Sequence, residues 1–270
     1  MRLLLSACVI WELFAAAPWG ALPAARAGAW TQQPGAGQII TAVSRRANPI
    51  TGFAGGPVED DSTYTSLFFE YGVMEGLTVG GTVFIEVSSA TDSGNNADFG
   101  VFARARIWQG EGGDVAAVQL GVKQDIGVVF GDSFTRPDSD PTSEVSLRAL
   151  YGRGFGFDWG SAFVSLEAGY HFQTDGDDDE VRADITVGAQ PWSCCMGLLS
   201  LYATYPVSGE GDDGDPSLKL APSFAYSFTI DEAEEGEPPP KPITIQIGIS
   251  QDLLNFDEGL GFQFSVWQPF

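Results

Sequence analysis

The sequence predicts an all-β protein, a closed antiparallel transmembrane β-barrel of about twelve strands. The chain ends with an apolar period of two: Leu260, Phe262, Phe264 and Val266 share one face, Gly261, Gln263, Ser265 and Trp267 the other, and Phe270 closes the run. Alternation of this kind marks a strand with one apolar and one polar surface. The pattern recurs through the chain in segments of roughly ten residues or more, long enough to cross the hydrocarbon when tilted. Between the segments, long polar stretches alternate with tight turns, as a chain threaded up and down through a membrane requires.

The first element is a leader. Arg2 precedes an apolar stretch from Leu3 to Leu22, and Ala25-Arg26-Ala27 offers a small-x-small cleavage site. Glu12 would be costly in a permanent membrane helix, so 1–27 reads as a cleavable signal peptide and 28–270 as the barrel. Leu5-Ser6-Ala7-Cys8 imitates a lipoprotein box, but the apolar region before it is too short to engage an export machinery. No other segment approaches the ~20 unbroken apolar residues of a spanning helix. The formal net charge of −23 becomes more negative once Arg2, Glu12 and Arg26 are removed. Such acidity argues against nucleic acid as a partner, because phosphate binding needs a basic surface. Of the cysteines only Cys194 and Cys195 remain after cleavage; a disulfide between neighbours is strained and a structural metal site usually wants four ligands, so they are read as thiols in a turn. No cofactor is implied.

Strands are expected near 38–45, 62–73, 77–88, 98–109, 115–128, 144–156, 161–173, 180–190, 198–207, 218–229, 243–253 and 259–270. An even number returns both ends of the barrel to the same side. Gaps after odd strands are mostly long and those after even strands mostly tight, Met74-Glu75-Gly76 and Phe157-Asp158-Trp159-Gly160 among them. Two gaps break the rule, Asp231–Pro242 being long and Asn255–Glu258 short, and either could signal a miscount. Pro222 lies inside the tenth segment, where its missing N–H should produce a bulge or a break in the ladder. The apolar faces, such as Ile243, Ile245, Ile247 and Ile249, must meet lipid, with Tyr71, Tyr151, Tyr226, Phe228 and Phe270 toward one rim and Tyr170, Phe172 and Tyr205 toward the other. Glycines fall inward, Gly72, Gly121, Gly152, Gly169, Gly188 and Gly261 among them, leaving room for water, substrate or charged side chains.

An exported barrel ending in Phe resembles the Gram-negative outer-membrane barrels. The resemblance implies that Phe270 is the signal read by the barrel-insertion machinery and that outer-membrane lipid and lipopolysaccharide surround the chain. The start Gly28-Ala29-Trp30-Thr31-Gln32-Gln33-Pro34-Gly35 resembles that of uncharacterised proteobacterial barrels opening Ala-Trp-Thr. Glu70-Tyr71-Gly72 followed by Leu77-Thr78-Val79-Gly80 resembles a hairpin of the MetA-type transporters associated with phenol degradation. These likenesses imply architecture; no binding residue is carried over.

By alternation the ionisable residues at mid-strand face inward: Glu70, Glu86, Arg104, Arg106, Lys123, Asp125, Arg148, Glu167, His171, Arg182, Asp184 and Lys219. Bases concentrate on the fourth to sixth strands and acids on the second, third and seventh. Two readings stand side by side. One is a passive channel or transporter for small solutes, with Arg104, Arg106, Lys123 and Arg148 opposing Glu70 and Glu86 at a constriction. The other is a salt-bridged filling that stabilises a closed barrel, since charges withdrawn from water must find partners. Such a closed barrel would act through acidic loops in surface interaction, envelope or polysaccharide organisation. Asp175, Asp177, Asp179, Asp213 and Asp215 in those loops are weak candidates for a divalent cation, and the first run lacks the Gly and distal Glu of an EF-hand. Catalysis is not expected, because the one histidine, His171, shares an inward face with Glu167 and has no nucleophile-elbow pattern near it.

Overall fold

The computed structural model describes residues 28–47, 62–88, 96–125, 143–174, 179–207, 215–230, 240–255 and 259–270. The expected signal peptide and Asp175, Asp177 and Asp213 lie outside them. Twelve strands form: β1 (Gly37–Ala47), β2 (Ser62–Met74), β3 (Leu77–Ser88), β4 (Asn96–Gln109), β5 (Asp114–Asp125), β6 (Ser143–Phe157), β7 (Gly160–Gln173), β8 (Glu180–Trp192), β9 (Cys195–Pro206), β10 (Ser217–Phe228), β11 (Ile243–Asp252) and β12 (Leu260–Pro269). Each pairs antiparallel with its neighbours in sequence, and β1 pairs with β12 to close the barrel. The two connections of unexpected length leave this count unchanged.

Closure satisfies the backbone without an edge, which frees the side chains to sort between two environments. Outward positions are apolar and exposed, as at Val101, Leu120, Leu147 and Ile247. Inward positions are small, polar or charged, and the register aligns them across strands: Glu70 opposes Gly80, Thr78 opposes Arg104, and Arg104 opposes Gln119. A surface apolar on the outside and polar within defines a membrane-spanning barrel.

The two ends differ. At one, turns at Gly76 and Gly113 use φ of 76° and 74°, a region that only a residue without Cβ enters freely. Register shifts in the ladder, at Gly72/Met74, Arg106/Trp108 and Ala189/Trp192, all cluster at this tight-turn end. The connections after the odd-numbered strands lie at the other, and the long connection from β10 to β11 shares the tight-turn end. Pro222 produces a break and no bulge: pairing with β11 skips Ala221 and Pro222 and resumes at Ser223 in the same register, while pairing with β9 runs through Pro222 and Leu199. Cys194 and Cys195 are free thiols with their sulfurs 2.9 Å apart in the β8–β9 turn.

Candidate functional site

Ahead of β1, residues 28–36 turn into the barrel and cross it as a strap. The strap leaves the wall beside β2, where Gly35 N donates to Gly72 O at 2.9 Å and Gly72 N to Ala36 O at 2.9 Å. Gly72 is obligatory at this contact, because a Cβ there would lie 2.1 Å from Gln33 O. Gln32 N then donates to Thr78 Oγ1 at 2.7 Å, and its side-chain amide reaches Glu70. Farther on, Ala29 and Trp30 pack against Val115, Ala117 and Leu150, with the Trp30 ring edge-on to Phe163 and its six-membered ring over Gly152. Gly28 ends the described strap against Ser165 and Glu167 of β7.

Arg104 is the hub under the strap. Its Nη1 donates to Trp30 O at 3.1 Å and pairs with Glu70 Oε2 at 3.3 Å, while Nε donates to Gln119 Oε1 at 3.0 Å. The guanidinium also lies over the Phe102 ring at 5.3 Å. Glu70 is further held by Gln38 Nε2 at 2.8 Å. Charges buried this deeply persist only when paired and hydrogen-bonded, and this pair meets the condition partly through the strap itself.

The remaining charges form two clusters. At mid-height Arg148 bridges Glu167 at 3.3 Å and Asp184 at 3.1 Å. Nearer the long-loop end, Glu144 receives His171 Nδ1 at 2.6 Å, Arg182 at 3.3 Å and Lys123 at 3.7 Å; Lys123 also reaches Asp98 at 3.5 Å, and Arg182 pairs with Glu180. Asp125 stands opposite Asp98 in register, and Glu86 faces inward at the long-loop rim between Tyr64 and Asn96. Lys219 lies in register between Tyr202 and Asp252. Arg106 sits at the tight-turn rim, 2.9 Å from the exposed Glu75. The bases are thus interleaved with acids along β2–β8, whereas β9–β12 present a mostly neutral wall, in which Gln246 bonds Ser223 and Ser265 and Ser200 bonds Thr186 of β8.

Alternation alone does not reveal several of these groups. Glu144 lies at the first turnings of β6, where only one flank shows the period, and Asp98 and Gln119 likewise take their importance from cross-strand register. His171 bonds Glu144 on the adjacent strand and not Glu167 on its own. Ser200 is engaged by Thr186 at 2.9 Å. Of the loop carboxylates, Asp179 accepts from Tyr170 Oη and from Gln173 N, and Asp215 is exposed. The described residues contain no group of three or more potential metal ligands. The room left by inward glycines is taken up by protein: Phe102 at Gly80, Phe163 at Gly188, Arg148 at Gly169, and the strap at Gly72 and Gly152.

No protein-family model matches the chain, and no curated protein matches it. Among solved structures it is similar to the COG4313 outer membrane channel from Pseudomonas putida F1, with 14% identity over 89% of this chain and 97% of that one and a TM-score of 0.60. It also matches the β domain of the Bordetella autotransporter BrkA, at 11% identity over 88% and 100% with a TM-score of 0.49. The translocator domain of the autotransporter NalP from Neisseria meningitidis matches at 11% identity over 88% and 89%, with a TM-score of 0.47. The fold is that of the Gram-negative outer-membrane β-barrels.

Proposed function

We propose that the chain is an exported outer-membrane barrel, freed of residues 1–27, that passes small solutes passively, with residues 28–36 as the element that sets how much of the lumen is open. One observation carries the reading: the strap spans a lumen lined with charge and amide groups and is held there by hydrogen bonds and the packing of Ala29 and Trp30. Structural filling would need no detachable piece. The channel named in the Pseudomonas putida structure supports the same class of function. So does the likeness of the β2–β3 hairpin to that of MetA-type transporters. His171 serves in this reading as a partner of Glu144, and the barrel is not an enzyme.

Planar-bilayer recording tests it. The wild-type barrel should show small unitary currents. Gly152→Val, whose Cβ would lie 2.6 Å from the Trp30 ring, should raise conductance several-fold by dislodging the strap. Silence from both proteins across many insertions would instead identify a closed barrel that works through its loops.

A further inference from the structure

The strap ends among groups whose charges do not balance without it. Glu167 and Asp184 share a single guanidinium, that of Arg148, so the mid-height cluster carries one surplus negative charge. The other guanidiniums of the lumen near them, Arg104 and Arg182, are committed elsewhere, Arg104 to Glu70 and Arg182 to Glu144 and Glu180. Ser165 is 3% exposed, and its Oγ has no hydrogen-bond partner among the described residues. Both features converge on Gly28: a Cβ built there would lie 1.9 Å from Ser165 Oγ and 3.1 Å from Glu167 Oε1. The Gly28 nitrogen is about 2.5 Å from that Cβ position by ordinary backbone geometry, which places it within roughly 5.6 Å of the carboxylate. Gly28 also has φ of 80°, so a side chain is disfavoured there by backbone as well as by space.

We propose that the Ala27–Gly28 bond is the processing site and that the α-ammonium released on Gly28 is bound inside the barrel by Glu167 and Ser165. The step is a hydrolysis by a signal peptidase. The C–N bond breaks, the water oxygen becomes one of the two oxygens of the Ala27 carboxylate, and the Gly28 nitrogen takes both protons of the water to become an ammonium. The new positive charge balances two carboxylates with two cations and gives Ser165 Oγ a donor. Before cleavage an amide nitrogen occupies the same place and carries no charge, so the strap acquires its anchor only on maturation. The inference rests on the reading of residues 1–27 as a cleaved leader, and it is independent of whether the lumen conducts.

The test uses protein extracted from outer membranes. Its intact mass should correspond to a chain starting at Gly28; a start at any other residue overturns the proposal. The folded protein is then treated with an N-hydroxysuccinimide acetylating reagent at neutral pH, and the tryptic peptide ending at Arg45 is followed by mass spectrometry. That peptide contains no lysine, so its label reports the α-amine alone. Labelling should be at least tenfold slower than in denatured protein, and should return to near the denatured rate in Glu167→Gln and in a chain with one extra Gly before Gly28. Glu86→Gln, at the long-loop rim, should keep the wild-type rate. An amine in the wild-type barrel that labels as fast as in the denatured chain overturns the seat. If Glu167→Gln fails to fold by far-UV circular dichroism, the Gly insertion decides alone, because it leaves the wall untouched; unchanged protection in it also overturns the seat. Bilayer silence with a protected amine would remove the channel reading and leave this one standing.

Discussion

Arg104 and Arg106 stand two positions apart on β4, both face inward, and their ion pairs differ in kind. The Arg106–Glu75 contact is the shorter, 2.9 Å against 3.3 Å, but Glu75 is exposed at a turn whereas Glu70 and Arg104 are buried. Distance does not rank them; solvent does. An exposed pair contributes roughly 0.2–1 kcal/mol, while removing one partner of a buried pair costs about 3–5 kcal/mol by stranding the other charge. Arg104→Met should therefore lower the unfolding free energy in lipid vesicles by about 3 kcal/mol. Arg106→Met should change it by less than about 1 kcal/mol. Urea titrations giving the reverse order would show that the hub is not load-carrying. His171 illustrates what sequence hides at this scale: a neighbour on the same strand, Glu167, is visible as spacing, but Glu144 reaches it only through the register of β6 against β7.

All twelve strands are legible in the sequence, because two solvents impose a period of two on every one of them, and the ends differ by only a few residues. The strap is not. It has no period, and its partners lie from 36 positions away, at Gly72, to 139, at Glu167. A trace of it exists in composition: Gly72, Ala117 and Gly152, all small and inward at the tight-turn end, leave space that something must fill. Pro222 shows the opposite case, an expectation of disruption met by a clean gap in pairing with β11. A restored N–H there has a strand to bond, so Pro222→Val should stabilise the barrel by about 1 kcal/mol, the net worth of one hydrogen bond. Destabilisation in the same urea titration would mean that the gap relieves strain in the sheet.

For the molecule as a whole, if the barrel conducts as proposed, the paired charges hold the fold and the strap sets how much passes. Paired charges along β2–β8 keep the interior in place, the strap joins them where it runs from β2 to β7, and the neutral wall of β9–β12 offers amide and hydroxyl groups. Removing residues 29–33 should enlarge the unitary conductance more than Gly152→Val does, and should leave the circular dichroism of the barrel intact. Loss of the β-sheet signal in that deletion would make the strap part of the folding core.

The strap departs from the wall at Gly37, and Gly37 is also where the chain meets its own end: Gly37 N donates to Phe270 O at 3.1 Å and Phe270 N to Gly37 O at 2.9 Å. Furnishing the interior and closing the seam are thus operations on one residue, joined across nearly the whole sequence. Contacts so distant in the chain form late and slowly, because their loop entropy must be met before they yield anything. A seam that shuts first would leave the strap only the mouth at the tight-turn end to enter by, so assembly has a favoured order: thread, then zip. In refolding from urea, the α-amine of Gly28 should become protected no later than β1 and β12 become resistant to proteolysis. A sealed barrel whose amine remained reactive would break that order.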